Sequence, residues 1–186
     1  MRVFALAILL LPWPAGAQEL TSDASAVRLE VGDVRRLAQI VRVHSSSSDL
    51  TSALEREYFG QASIGLRAYA SVYDVTARSL SESVTRNPRL YADLDALADA
   101  VLAHAPTIRD GLQRLTGLFP KAMFPPVWFV IGHNGPGGLT RQEGVLIAIE
   151  RYVDSPGDVV PLRSVRTASV ALGCSSSTRK GANLAA

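Results

Sequence analysis

The sequence predicts an α+β domain: several N-terminal helices packed on a small sheet that includes a β-hairpin. Three observations carry this. Leu94, Leu97, Ala98, Val101 and Leu102, then Ile108, Leu112 and Leu115, recur at three- and four-residue spacing, which places them on one helical face. Val127-Trp128-Phe129-Val130-Ile131 and Gly144-Val145-Leu146-Ile147-Ala148-Ile149 are short apolar runs rich in β-branched residues, the composition of buried strands. Between them, Gly132-His133-Asn134-Gly135-Pro136-Gly137-Gly138 is a loop by composition, so residues 127–149 read as a hairpin with a long glycine-rich connection.

In chain order, Met1-Arg2, the apolar run Val3–Leu11, the break Pro12-Trp13-Pro14 and the small residues Ala15-Gly16-Ala17 form the pattern of a cleavable signal peptide. The expectation is export, to periplasm or medium, with residues 1–17 removed. The run is less than half of the roughly 20 residues needed to span a bilayer, so no membrane contact is expected after cleavage. Ala26–Val31 alternates apolar and polar residues and reads as a strand, ended by Gly32. Asp33 can cap a helix carried by Val34, Leu37, Ala38 and Val41 to about His44. Ser45–Ser48 is a polar loop, and Ser48 or Asp49 can cap a helix with Leu50, Leu54 and Tyr58 on its apolar stripe. Gly60 and Gly65 bracket a passage expected to be irregular as far as Tyr73-Asp74. A short helix from about Thr76 should stop before Pro88, because proline disfavours helical geometry in its predecessor.

Composition excludes several classes of function. Cys174 is the only cysteine, so an intrachain disulfide is impossible and packing must supply stability. Residues 159–186 hold Arg163, Arg166, Arg179 and Lys180 and no acid, whereas residues 18–158 are net acidic. The positive net charge therefore belongs to the tail, and no basic face interleaved with aromatics suggests nucleic acid.

Familiar catalytic patterns also fail. The 132–138 loop ends in Leu139-Thr140 where a phosphate-binding loop needs Lys-Ser or Lys-Thr, and it leads towards a strand where a dinucleotide fingerprint opens a helix. Gly60-Gln61-Ala62-Ser63-Ile64-Gly65 is not a Gly-x-Ser-x-Gly elbow. His44, His104 and His133 form no i, i+4 pair. Glu55, Glu57, Asp93, Asp95 and Asp99 read as solvated helix faces, and Cys174 as an incidental thiol. No catalytic, cofactor-binding or metal-ligating residue is assigned.

A resemblance adds to this reading. Phe124-Pro125-Pro126 leading into Val127–Gly132, then Gly135-Pro136-Gly137-Gly138-Leu139-Thr140, then Gly144–Glu150, resembles the predicted zinc-dependent protease family of exported bacterial proteins, zincin-like and marked by His-Glu-x-x-His. Tyr58-Phe59-Gly60, Gly65–Tyr69 and Leu118-Phe119-Pro120 are similar to its helical front half, and the likeness runs from about Ala26 to Leu162. It implies an incomplete zincin-like domain over residues 18–162. In such proteins the motif would follow Val159-Val160-Pro161-Leu162, with two histidines on zinc and a glutamate activating water. Here Arg163-Ser164-Val165-Arg166-Thr167-Ala168-Ser169 follows, so zinc is expected only in a full-length relative and this chain is expected to be inactive. Residues 163–186 are expected to be a disordered tail, read from a shifted frame or left by truncation. The alternative is a small exported noncatalytic module that binds a peptide or protein at the hairpin edge.

Overall fold

The computed structural model describes residues 19–44 and 49–152. The expected signal peptide, the loop 45–48 and the tail from Arg163, with Cys174, lie outside the described residues. The class is α+β, as expected: helices packed with a four-stranded mixed sheet. Among the described residues no helix is long and apolar enough to cross a membrane.

After a 3-10 turn at Ala24–Ala26, the expected strand shrinks to β1 (Leu29–Glu30). Helix α1 (Gly32–His44) buries Val34, Leu37, Ala38, Ile40 and Val41, the face its spacing foretells. Asp33, expected to cap this helix, stands inside its first turn instead and serves a tertiary contact. Its carboxyl is buried and receives Arg36, the Ser63 hydroxyl and the Ser63 amide, the last at 3.2 Å, which ties α1 to the start of α3.

Helix α2 (Leu50–Ala53) runs into a π-helical segment, Leu54–Phe59, closed by Gly60 N–H donating to Glu55 O at 2.9 Å. Gly60 permits this closure, since a Cβ there would lie 2.4 Å from Arg56 O. The expected irregular passage that follows is in fact helical. Helix α3 (Ile64–Tyr73) is capped by Ser63, whose hydroxyl accepts from Leu66 N–H, and ends on Asp74 in the left-handed region. The glycine that disguised it serves packing: a Cβ on Gly65 would sit 2.3 Å from Trp128 Cγ.

Helix α4 (Ala77–Arg86) starts from a Thr76/Ser79 capping box and stops before Pro88, as expected. Pro88 then opens a short helix, α5 (Pro88–Ala92), because its missing N–H costs nothing in a first turn. Helix α6 (Leu94–Ala103) and helix α7 (Ala105–Leu118) match the two strongest periodic segments.

The sheet corrects the hairpin. Strands β2 (Val127–Val130) and β4 (Gly144–Ala148) are parallel neighbours, with Val127 opposite Val145 and Val130 opposite Ala148. The connection between them holds a further strand, β3 (Gly138–Arg141), and the true hairpin is β3–β4, with Arg141 opposite Gly144. The sheet order is β1-β2-β4-β3, with β1 parallel to β2. Strands β2 and β4 are almost continuously buried, the signature of parallel strands covered on both faces, whereas β3 is mostly exposed. That polarity hides β3 in the sequence.

Helices α1 and α3 pack on β2, and α3 also reaches β3 and β4, so the core lies between these helices and the two parallel strands. Among the described residues the most exposed large apolar side chains are Leu118, at 74 %, Val43, at 66 %, and Phe119, at 57 %.

Candidate functional site

Strands β2 and β4 end side by side, and the chain leaving β2 turns over their carboxyl ends before returning as β3. In open parallel sheets this edge is the usual place for a ligand, a fold-level analogy only. Here it holds a buried acid. Glu150, two residues beyond β4, is only 3 % exposed. Its Oε1 accepts from Gly132 N–H at 2.8 Å, while Oε2 is buried and has no hydrogen-bond partner.

Tyrosines from three helical elements surround it and pin the crossing chain. Tyr58, from the π-helical segment, donates its hydroxyl to Ile131 O at 2.9 Å and accepts from Ile131 N–H at 3.4 Å. Tyr69, from α3, donates to Pro136 O at 2.6 Å. Tyr91, from α5, lies 2.8 Å from Ser83 Oγ and donates to Gly132 O at 3.4 Å. Gly132 has no room for a side chain, since a Cβ would lie 2.9 Å from Tyr69 Cε1 and 3.2 Å from Glu150 Oε1. Asn134 takes a positive φ of 64°, and its Oδ1 accepts from Arg151 at 3.1 Å.

Burial raises the Glu150 carboxyl from its ordinary 4.5 to about 7, against the opposing pull of the Glu150, Gly132 and Asn134 amides and the Arg151 charge. Burial also pushes the Tyr91 hydroxyl up to about 12, partly offset by the Ser83 hydrogen bond. Tyr58 is pushed well up by burial, with the Asp33 charge adding to the effect. Tyr58 and Tyr91 therefore act as neutral hydrogen-bonding walls, and Glu150 holds or loses a proton near neutrality. Because Glu150 is enclosed, its chemistry bears on the chain that covers it rather than on a solute.

The residues weighed from sequence stand apart. His44 ends α1, and His104 follows α6 with Nδ1 2.8 Å from Ala100 O, a helix-end contact. His133 lies in the 132–137 loop, with its Nδ1 buried and without a hydrogen-bond partner. Ser63 is a helix cap held by Asp33; of the acids expected on solvated helix faces, Glu55, Asp93 and Asp99 are exposed, and Glu57 and Asp95 are half-buried. Among the described residues no three His, Cys, Asp or Glu side chains gather as a metal ligand set. A catalytic zinc usually needs three well-set protein ligands, and the unpartnered His133 Nδ1, Glu143 Oε2 and Glu150 Oε2 belong to no such group, so the described residues do not fit one.

Sequence reasoning assigned no site role to Glu150, took Asp33 as a cap alone, and did not foresee the tyrosine wall. One signal was available: Glu150 directly follows the apolar run Gly144–Ile149, where a charge must either emerge into water or be buried with the strand. No protein-family model matches the sequence, and neither the curated proteins nor the solved structures include a match.

Proposed function

We propose that this is an exported, zincin-like protein that does not hydrolyse peptides by itself and holds an extended peptide along strand β3. The observation that carries the reading is the outer edge of that strand. Gly137 O accepts from Ala148 N–H at 2.9 Å, and antiparallel bonding alternates, so Leu139 and Arg141 face β4 in the same way. The backbone groups of Gly138 and Thr140 therefore point outward. The Gly138 carbonyl is met by Tyr73 Oη at 3.4 Å, while among the described residues no backbone pairing engages Thr140 on that side. Such an edge accepts an added strand through main-chain bonds, and its exposed polar residues guard against pairing with itself.

Titration of a labelled sample with extended peptides tests this. The Gly138 and Thr140 amide resonances should shift, and peptides N-methylated at alternate positions should not compete. Chelator-sensitive peptidase activity, or tight stoichiometric zinc, would overturn the noncatalytic part. Unmoved β3 amides at millimolar peptide would overturn the binding part.

A second reading, a self-sufficient binding module with no zincin relationship, is favoured by the closed core around Tyr58, Tyr69 and Leu146, none of which is exposed. A sharp cooperative melt without dye binding to apolar surface would support that reading over a remnant.

A further inference from the structure

We propose that Glu150 is a proton-operated latch: its protonated carboxyl holds the 132–137 loop closed over the ends of β2 and β4, and ionisation loosens that loop. This goes beyond peptide binding and does not depend on it.

The geometry gives the direction. A carboxylate has about four acceptor sites across two oxygens. In the closed loop Oε1 receives Gly132 N–H at 2.8 Å, whereas Oε2 is shut away from water with no hydrogen-bond partner. Burying the charge with Oε2 unpartnered is costly despite the pull of the Glu150, Gly132 and Asn134 amides, and an OH in the same place costs less. Burial keeps Tyr58 and Tyr91 neutral in this range: Tyr91 Oη holds Gly132 O, and Tyr58 fixes Ile131 just before the loop. Tyr69 Oη holds Pro136 O. Arg151 lies on the Asn134 side chain, and its fixed charge favours the ionised carboxyl only weakly beside burial. His133 is the ionisable side chain of the loop itself. Its own role therefore needs a control.

Opening the loop lets water reach Oε2 and returns the carboxyl towards ordinary behaviour. Closed-loop titration near 7 against 4.5 in the open loop favours opening by about 70-fold more at pH 8 than at pH 5.

Amide hydrogen exchange of the whole protein reads this directly once the intrinsic pH dependence of exchange is removed. Protection at Gly132 should fall about 70-fold from pH 5 to pH 8. Glu150→Gln should flatten the profile, and His133→Gln should leave it intact. A wild-type profile flat within twofold overturns the latch, as does a slope that survives in Glu150→Gln or disappears in His133→Gln. Should Glu150→Gln fail to fold, the side-chain carboxyl ¹³C resonance of Glu150 in the unaltered protein decides: a midpoint near 7 upholds the latch, and one below 5.5 overturns it.

Discussion

Replacing Glu150 with glutamine should convert a pH-dependent stability into a nearly flat one. Glutamine has the shape of the protonated acid, and its Oε1 can still accept from Gly132 N–H, the 2.8 Å bond of the native structure. What it removes is the ability to ionise. The folded value of about 7 lies above the ordinary 4.5, so the native state binds the proton more tightly than the unfolded chain. The stability contributed by protonated Glu150 is thus complete below about 4.5 and is lost as pH rises through about 7. Each pH unit between the two values is worth about 1.36 kcal/mol, which sets the cost of ionising Glu150 in place at about 3 kcal/mol. No discount for solvent screening applies, because the side chain is 97 % buried by its 3 % exposure. Between pH 5 and pH 8 the titration covers about 2.5 kcal/mol of that. Urea denaturation of both proteins at pH 5, 6, 7 and 8 isolates the effect, since all other titrations are common to the pair. The native protein should lose about 2.5 kcal/mol relative to the variant across that range, and the variant should be the more stable at pH 8. A loss near 1 kcal/mol would mean that the 132–137 loop opens before the fold is lost, relieving the charge locally. Parallel profiles would refute the reasoning, because they would mean that Glu150 is solvated or partnered in the folded state.

Three further outcomes test the packing and the edge. Gly65→Ala gains about 1 kcal/mol of helix propensity but drives a Cβ to 2.3 Å from Trp128 Cγ, on a ring held by its bond to Glu143 O. Overpacking of this kind costs about 1–3 kcal/mol, so chemical denaturation should show net destabilisation, and a more stable variant would deny the close approach of α3 to β2. Tyr91→Phe leaves Ser83 Oγ buried without its 2.8 Å partner and should cost about 1–2 kcal/mol. Adding Ser83→Ala should recover part of that loss, and a purely additive double variant would contradict the pairing. Thr140→Pro removes one outward N–H from an edge strand, where proline is tolerated; melting should change little, whereas peptide affinity at β3 should fall at least tenfold.

The sequence determined by itself whatever depends on local periodicity and local backbone chemistry. Val34, Leu37 and Val41 lie on the buried face of α1, α4 starts next to Thr76 and ends at Arg86 before Pro88, and the two apolar runs became strands. Even the α+β class follows from those patterns. Direction and partnership do not, because an apolar run records that a strand is buried and not which way its neighbour points. Val127–Val130 and Gly144–Ala148 read as a hairpin until β3 is seen to reverse the chain between them. Gly65 looked like a break because the reason for a glycine there is Trp128, far along the chain. The candidate site was the least legible part for the same reason. Glu150 is unusual only because Gly132 and three tyrosines from separate helical elements enclose it, and such burial exists only once α3, α5 and the π-helical segment have packed against the sheet.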